Sequence, residues 1–166
     1  TQKVRPLTSG VDEKGAFWLD EDTVVFRSAR DQEKGEQKSR WYKISIHGGE
    51  AETFLELEGQ IRDLRKLGDT TYLVTEEVWA RENPVQEEAR IFDELPFWFN
   101  GRGIINSKRS VLSIYDAADG SKTFLTEAPF QVQGTASSGN RIAWAGYEQG
   151  DVEGHAFRLF VYDMAR

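Results

Sequence analysis

The sequence predicts an all-β fold built from a repeated unit of four short antiparallel strands, and three observations carry that expectation. First, β-type runs recur in the same surroundings: TVVFRS from Thr23, TYLVT from Thr71 and RIAWAGY from Arg141 each follow a turn signal, at Asp20 to Asp22, Gly68-Asp69 and Gly139-Asn140. Second, each is followed by a run in which aromatic and branched residues alternate with polar ones: WYKISI from Trp41, VLSIYD from Val111 and LFVYD from Leu159. Third, the spacing repeats with one interruption. From Val24 to Ile46 is 22 residues, from Tyr72 to Tyr115 is 43, and from Ile142 to Tyr162 is 20. An insertion of about twenty residues in the middle unit explains the difference, and without it the period falls near the roughly 40 to 50 residues of a four-stranded propeller blade.

The order of strands follows from these anchors. The runs from Thr23, Thr71 and Arg141 are strand B, and the alternating runs after them are strand C. GAFWLD from Gly15, QIRDLRKL from Gln60 and FQVQGTAS from Phe130 precede each B and form strand A. After the first two C strands the chain turns through His47 to Glu50 and Ala118 to Ser121 into AETFLEL and KTFLT, which form strand D. The opening TQKVRPLT matches GSKTFLT in type, so residues 1–8 read as strand D of a preceding blade. Blades then occupy 15–57, 60–126 with its insertion at 78–109, and 130–163, the last lacking its D strand. The expectation is a partial β-propeller of about three four-stranded antiparallel blades, in the order D-ABCD-ABCD-ABC. A β-sandwich with irregular hairpins is the competing arrangement.

Composition sets the outer limits. The chain has 166 residues with a net charge of −7, 39% hydrophobic residues, five Trp and ten Phe, enough apolar material for a packed core. No apolar run reaches the roughly 18 residues of a membrane span, and the N-terminus lacks the apolar stretch of a signal peptide, so no membrane partner is expected. An acidic balance argues against nucleic acid as a partner, since phosphate neutralisation needs a concentrated basic surface. The absence of Cys excludes disulfides and thiolate chemistry and fits a cytoplasmic location. The chain begins at Thr1 without Met, as an excised segment of a longer protein would.

Catalytic patterns are missing from the residues. GTASSG at Gly134 to Gly139 has the composition of a nucleophile elbow but the wrong spacing, and Ser137 and Ser138 read as turn residues between A and B. His47 and His155 have no paired ligand spacing, and neither a phosphate loop nor a dinucleotide fingerprint occurs, so no metal and no cofactor are expected. Gly101 to Gly103 reads as a turn, with a small anion nest as the alternative. The carboxylate pairs Glu76-Glu77, Glu87-Glu88 and Asp93-Glu94 point to opposite faces of any strand they occupy, and they read as solvated charges. Glu76 and Glu77 have a second reading, as holders of a substrate ammonium or guanidinium at a blade edge facing a cavity.

Two links are long enough to hold function. The first, RSARDQEKGEQKSR from Arg27, has five basic and three acidic residues and reads as an exposed, mobile hairpin tip. The second, Val78 to Arg109, holds Trp79, Ile91, Phe92, Leu95, Phe97, Trp98 and Phe99. That much apolar surface either covers its own blade or lines an interdomain or substrate cavity.

Within the second link, FDELPFWFNGRGIINSKRSVLSIYDAADG resembles the propeller of serine peptidases of the prolyl oligopeptidase family, most closely the acylaminoacyl-peptidase branch. The matching positions are Glu94, Pro96, Phe97, Trp98, Asn100, Gly101 and Gly103, followed by Lys108, Arg109, Leu112, Tyr115 and Asp116. VVFRSARDQEKGEQKSRWYKISIHGGEAETF is similar to the preceding blade of that family. The resemblance implies an N-terminal propeller that caps a C-terminal α/β-hydrolase domain and admits only short peptides. It implies a gating role for this chain within a peptidase and no catalytic residue in it, because the Ser-Asp-His triad has no counterpart here. Trp98, Asn100 and Arg102, with Glu76 and Glu77, become the candidates for substrate access or contact with the hydrolase domain. A non-enzymatic interaction propeller of the TolB or WD type is the alternative. Open blade edges further suggest self-association, a D strand from one chain completing the blade of another.

Overall fold

The computed structural model describes residues 4–10, 12–33, 35–80, 97–99, 103–105, 108–148 and 157–165. Three antiparallel sheets follow one another along the chain. The first is a meander of β1 (Lys14–Trp18), β2 (Thr23–Arg27), β3 (Lys38–Ser45) and β4 (Glu52–Glu58). The second holds β5 (Gln60–Lys66), β6 (Thr71–Trp79), β9 (Lys108–Asp116) and β10 (Lys122–Phe124) in that order. Between β6 and β9 a separate hairpin forms, β7 (Phe97–Phe99) with β8 (Gly103–Ile105). The third sheet has three strands, β11 (Phe130–Ser138), β12 (Arg141–Glu148) and β13 (Arg158–Asp163). Each A-to-D strand read from the sequence between Gly15 and Asp163 is present, and the arrangement is that of partial propeller blades.

One hydrogen bond repeats in all three sheets and fixes their equivalence. The chain leaving strand C donates to the A–B turn: Ile46 N to Asp22 O, Ala117 N to Thr70 O and Met164 N to Asn140 O, each at 2.8 Å. This corrects the anchor on the first strand C. Val24 lies opposite Ile44, as Tyr72 lies opposite Tyr115 and Ile142 opposite Tyr162, so the B-to-C spacing is 20, 43 and 20 residues. Ile44 and Ile46 differ by one period of the strand, and alternation alone cannot choose between them.

The inserted segment also begins later than its sequence limits. Val78 pairs with Arg109 and Trp79 with Lys108, so the hairpin ladder takes in both ends of the 78–109 segment. At the N-terminus, residues 4–10 form no strand. A strand D pairs with strand C of its own blade, and the described residues offer none. Instead Leu7 packs with Phe26, Tyr42 and Ile44 on the outer face of the first sheet.

Two cores hold the sheets together. Val25, Trp41, Leu57, Ile61, Leu64, Tyr72 and Val74 are buried between the first and second sheets. Leu73 and Leu112, on the other face of the second sheet, meet Val132, Ile142 and Trp144 of the third. On β6, Tyr72 and Val74 face one core and Leu73 the other, the period of two expected of a strand buried on both sides. On the opposite face of the third sheet Leu159 is 75% and Val161 64% exposed, and Phe157, 58% exposed, meets the Tyr147 ring edge-on. Among the described residues no helix is long and apolar enough to cross a membrane.

Candidate functional site: a basic pocket between the first two blades

The B–C and D–A connections of a four-stranded meander emerge at the same end of each sheet. At that end, between the first and second sheets, lies a pocket of about 610 Å³, within the range of small-ligand sites. Its base is the turn from β4 to β5. Gly59 turns there with φ +94°, a conformation that L side chains rarely adopt. Gly59 N donates to Gln37 O at 2.7 Å, and the buried Ser39 hydroxyl donates to Gly59 O at 3.1 Å while accepting from Ile61 N at 3.2 Å. Arg27, the last residue of β2, donates from Nη1 to Ile61 O at 2.6 Å. Residues of two sheets are thus tied by hydrogen bonds beneath the pocket.

Charges line the walls. Glu77 accepts from Arg62 and pairs with Lys108 Nζ at 2.9 Å, and that ammonium also lies 4.9 Å from the Trp79 ring centre. Glu36 holds Arg40 through both carboxylate oxygens, at 2.6 and 2.8 Å, and this bond keeps its carboxyl below the usual carboxylate range. Lys38 reaches Glu58 at 3.4 Å, a carboxylate that is 79% exposed. Arg27 has no carboxylate within ion-pair distance among the described residues.

The described residues of the link from Arg27 to Arg40 are largely exposed, as the sequence suggested, and they carry hydrogen bonds of their own. Gln32 Nε2 donates to Glu36 O at 3.1 Å and Lys38 O at 3.2 Å. Tyr42 donates its hydroxyl proton to Asp31 at 2.6 Å, and burial, reinforced by that carboxylate, pushes the phenol up to about 12. The Arg30 guanidinium lies 4.8 Å from the Tyr42 ring centre and 5.3 Å from that of Phe26. The sequence signal was present in the alternation of acids and bases, but which pairs close depends on how the link folds back.

The residues singled out from the sequence fall in different places. Glu76 is buried, its carboxylate 3.0 and 3.1 Å from Lys122 Nζ, while its neighbour Glu77 lines the pocket. Neither is a solvated charge, because each holds cations of this chain. Trp98 lies in β7, opposite Ile104 in β8, and Asn100 and Arg102 lie outside the described residues. Ser137 and Ser138 are the last residues of β11, paired with Ile142 and Arg141, and only Gly139-Asn140 make the turn. His47 is exposed, 3.3 Å from Asp22, and His155 lies outside the described residues. Among the described residues no three His, Cys, Asp or Glu side chains gather as a metal cage. Arg27, Lys38, Ser39 and Gly59 were not singled out, since no contiguous motif joins them.

No protein-family model matches the chain, and no curated protein matches it. Solved structures do. The acylaminoacyl peptidase of Pyrococcus horikoshii matches 92% of this chain with a TM-score of 0.59 at 13% identity. An acylaminoacyl peptidase in complex with Z-Gly-Gly-Phe-chloromethyl ketone matches the same share with a TM-score of 0.59 at 12% identity. The uncharacterized protein lmo1340 of Listeria monocytogenes aligns over 99% of this chain and 40% of its own, at 14% identity and a TM-score of 0.48. The chain spans 24% of the length of each peptidase it resembles, and at these identities the likeness establishes the fold of three successive propeller-type blades.

Proposed function

We propose that this chain is the gating, substrate-access part of the propeller of a longer acylaminoacyl-peptidase-like serine peptidase that hydrolyses short peptides in the cytoplasm. The observation that carries the reading is the likeness of 92% of the chain to a quarter of two acylaminoacyl peptidases, coinciding with the motif at Glu94 to Gly103. The partner is a C-terminal α/β-hydrolase domain in the parent chain, and the ligand is a short peptide. A rigid stack of blades over a nucleophile acts sterically: it excludes folded proteins and leaves loop residues to select peptide ends. Trp98, Asn100 and Arg102, in the stretch of sequence between β6 and β9, together with Glu77 of the pocket, contact the substrate path or the hydrolase domain.

The test compares hydrolysis of acetyl-alanine p-nitroanilide by this chain and by the protein translated from the complete reading frame. This chain is expected to show none, and the complete protein to show turnover abolished by a serine-reactive inhibitor. Inhibitor-sensitive turnover by this chain alone, or none by the complete protein, overturns the reading.

A further inference from the structure

The pocket between the first two blades has more to say than its position. In a chain of net charge −7, its lining holds, among the described residues, four cations, Arg27, Lys38, Arg62 and Lys108, against two carboxylates, Glu36 and Glu77. Each carboxylate already holds a guanidinium or ammonium of this chain. Glu36 is committed to Arg40, and Glu77 is shared between Arg62 and Lys108. Arg27 is held in place by a backbone carbonyl, and a charge that acts on it, the Asp12 carboxylate, lies beyond ion-pair distance and is shared with Lys14. Lys38 pairs with the exposed Glu58, a contact that costs little to exchange, and its charge also acts on the Glu36 carboxyl. The wall therefore presents an excess of positive charge, part of it on a guanidinium that a hydrogen bond already orients and no carboxylate among the described residues directly contacts, the arrangement that favours a planar anion.

The rest of the lining narrows the anion. Gln32, Gln37 and Gln60 stand beside these cations. Both amide donors of Gln32 are spent on Glu36 and Lys38 carbonyls, which leaves its oxygen as an acceptor; Gln60 accepts weakly from Lys108 at 3.5 Å, which leaves its amide donors. An acceptor and donors beside a cationic wall match the N–H and C=O groups that precede a peptide carboxylate, and a bare inorganic anion would leave them idle.

We propose that this pocket binds the carboxylate end of a peptide, with Arg27 and Lys38 as the charge-bearing donors and the glutamine amides as partners of the adjoining peptide groups. That the ligand is a peptide rests on the function proposed above; that the site takes a carboxylate rests on the pocket alone. The experiment is calorimetric titration of the full chain with acetyl-trialanine carrying either a free carboxylate or a C-terminal amide, at about 20 and about 300 mM NaCl, with inorganic phosphate as a third ligand. The free acid is expected to bind at least about tenfold more tightly than the amide and to weaken several-fold at the higher salt, because the charges are partly exposed. Arg27→Gln and Lys38→Gln are each expected to weaken the acid about fivefold or more, whereas Lys43→Gln, outside the pocket, leaves it unchanged. Should Arg27→Gln disturb the fold, Lys38→Gln still decides, since Lys38 lies at the surface. Equal binding of acid and amide, no binding of the acid, or phosphate binding as tightly as the peptide acid overturns the proposal. None of these results needs a hydrolase domain, so a failed titration leaves the gating role standing, and an inactive parent leaves a measured carboxylate site standing.

Discussion

Glu76 and Glu77 are adjacent on one strand, yet their surroundings give them different work. Glu76 is enclosed beside the β4–β5 turn with Lys122 as its counterion, so removing the lysine strands a charge in a low-dielectric setting. Lys122 is itself a quarter exposed, which softens the penalty. Lys122→Met is expected to destabilise the chain by about 2 kcal/mol, short of the roughly 3 to 5 of a fully buried pair. Adding Glu76→Leu to that variant should restore much of the loss in chemical denaturation, and a double variant no more stable than the single one would contradict the pairing. Tyr42 gives a pH signature. Its phenol is raised from about 10 to about 12 in the folded state, so its stabilising effect is full below pH 10 and is lost as pH rises through 12. The stability difference between the wild type and Tyr42→Phe should therefore shrink over that window, and a constant difference would refute the cause assigned here. In the sequence, both carboxylates looked like surface charge, because nothing local shows that Lys122, forty-six positions away, arrives beside Glu76.

Strands were the legible elements, since a period of two and flanking turn residues are local properties. Register was less so. Ile44 and Ile46 satisfy the same alternation, and the pairing of Val24 with Ile44, with the hydrogen bond from Ile46 N to Asp22 O, shows that Ile46 has already left the strand. Strand ends at the insertion were hidden for a related reason: Val78, Trp79, Lys108 and Arg109 extend the ladder although the composition around them reads as a link. The basic pocket was illegible because its lining comes from separate places in the sequence, residues 27, 32, 35–39, 59–62, 77 and 108, which only the stacking of two blades brings together. Close approach within a blade can also be tested. A Cβ added at Gly146 would sit 2.5 Å from Gln131 O and from a Phe130 ring carbon, beside the irregular pairing between Val132 and Gly134. Gly146→Ala is expected to cost about 1 to 3 kcal/mol by overpacking. A neutral effect on thermal stability would show that the β11–β12 pair yields at this point.

At the scale of the molecule, three blades stack through two cores, and the two outer faces differ. Leu7 and Arg30 cover Phe26 and Tyr42 on the first sheet, while on the third sheet Leu159 and Val161 are exposed and, among the described residues, no fourth strand pairs with β13. An apolar face beside an unpaired strand edge favours association. The isolated chain is expected to self-associate with rising concentration in light scattering, and Val161→Lys should shift it toward monomer. A monomer at all concentrations would contradict this. The repeat itself was legible from spacing, and its count of blades held because each unit closes the same hydrogen bond between its A–B turn and the end of strand C. Whether these blades gate a peptidase is decided most directly by determining the complete reading frame that encodes them. The account predicts further blade repeats and, downstream, a Gly-x-Ser-x-Gly elbow followed by Asp and then His; a frame that ends without that elbow would contradict it.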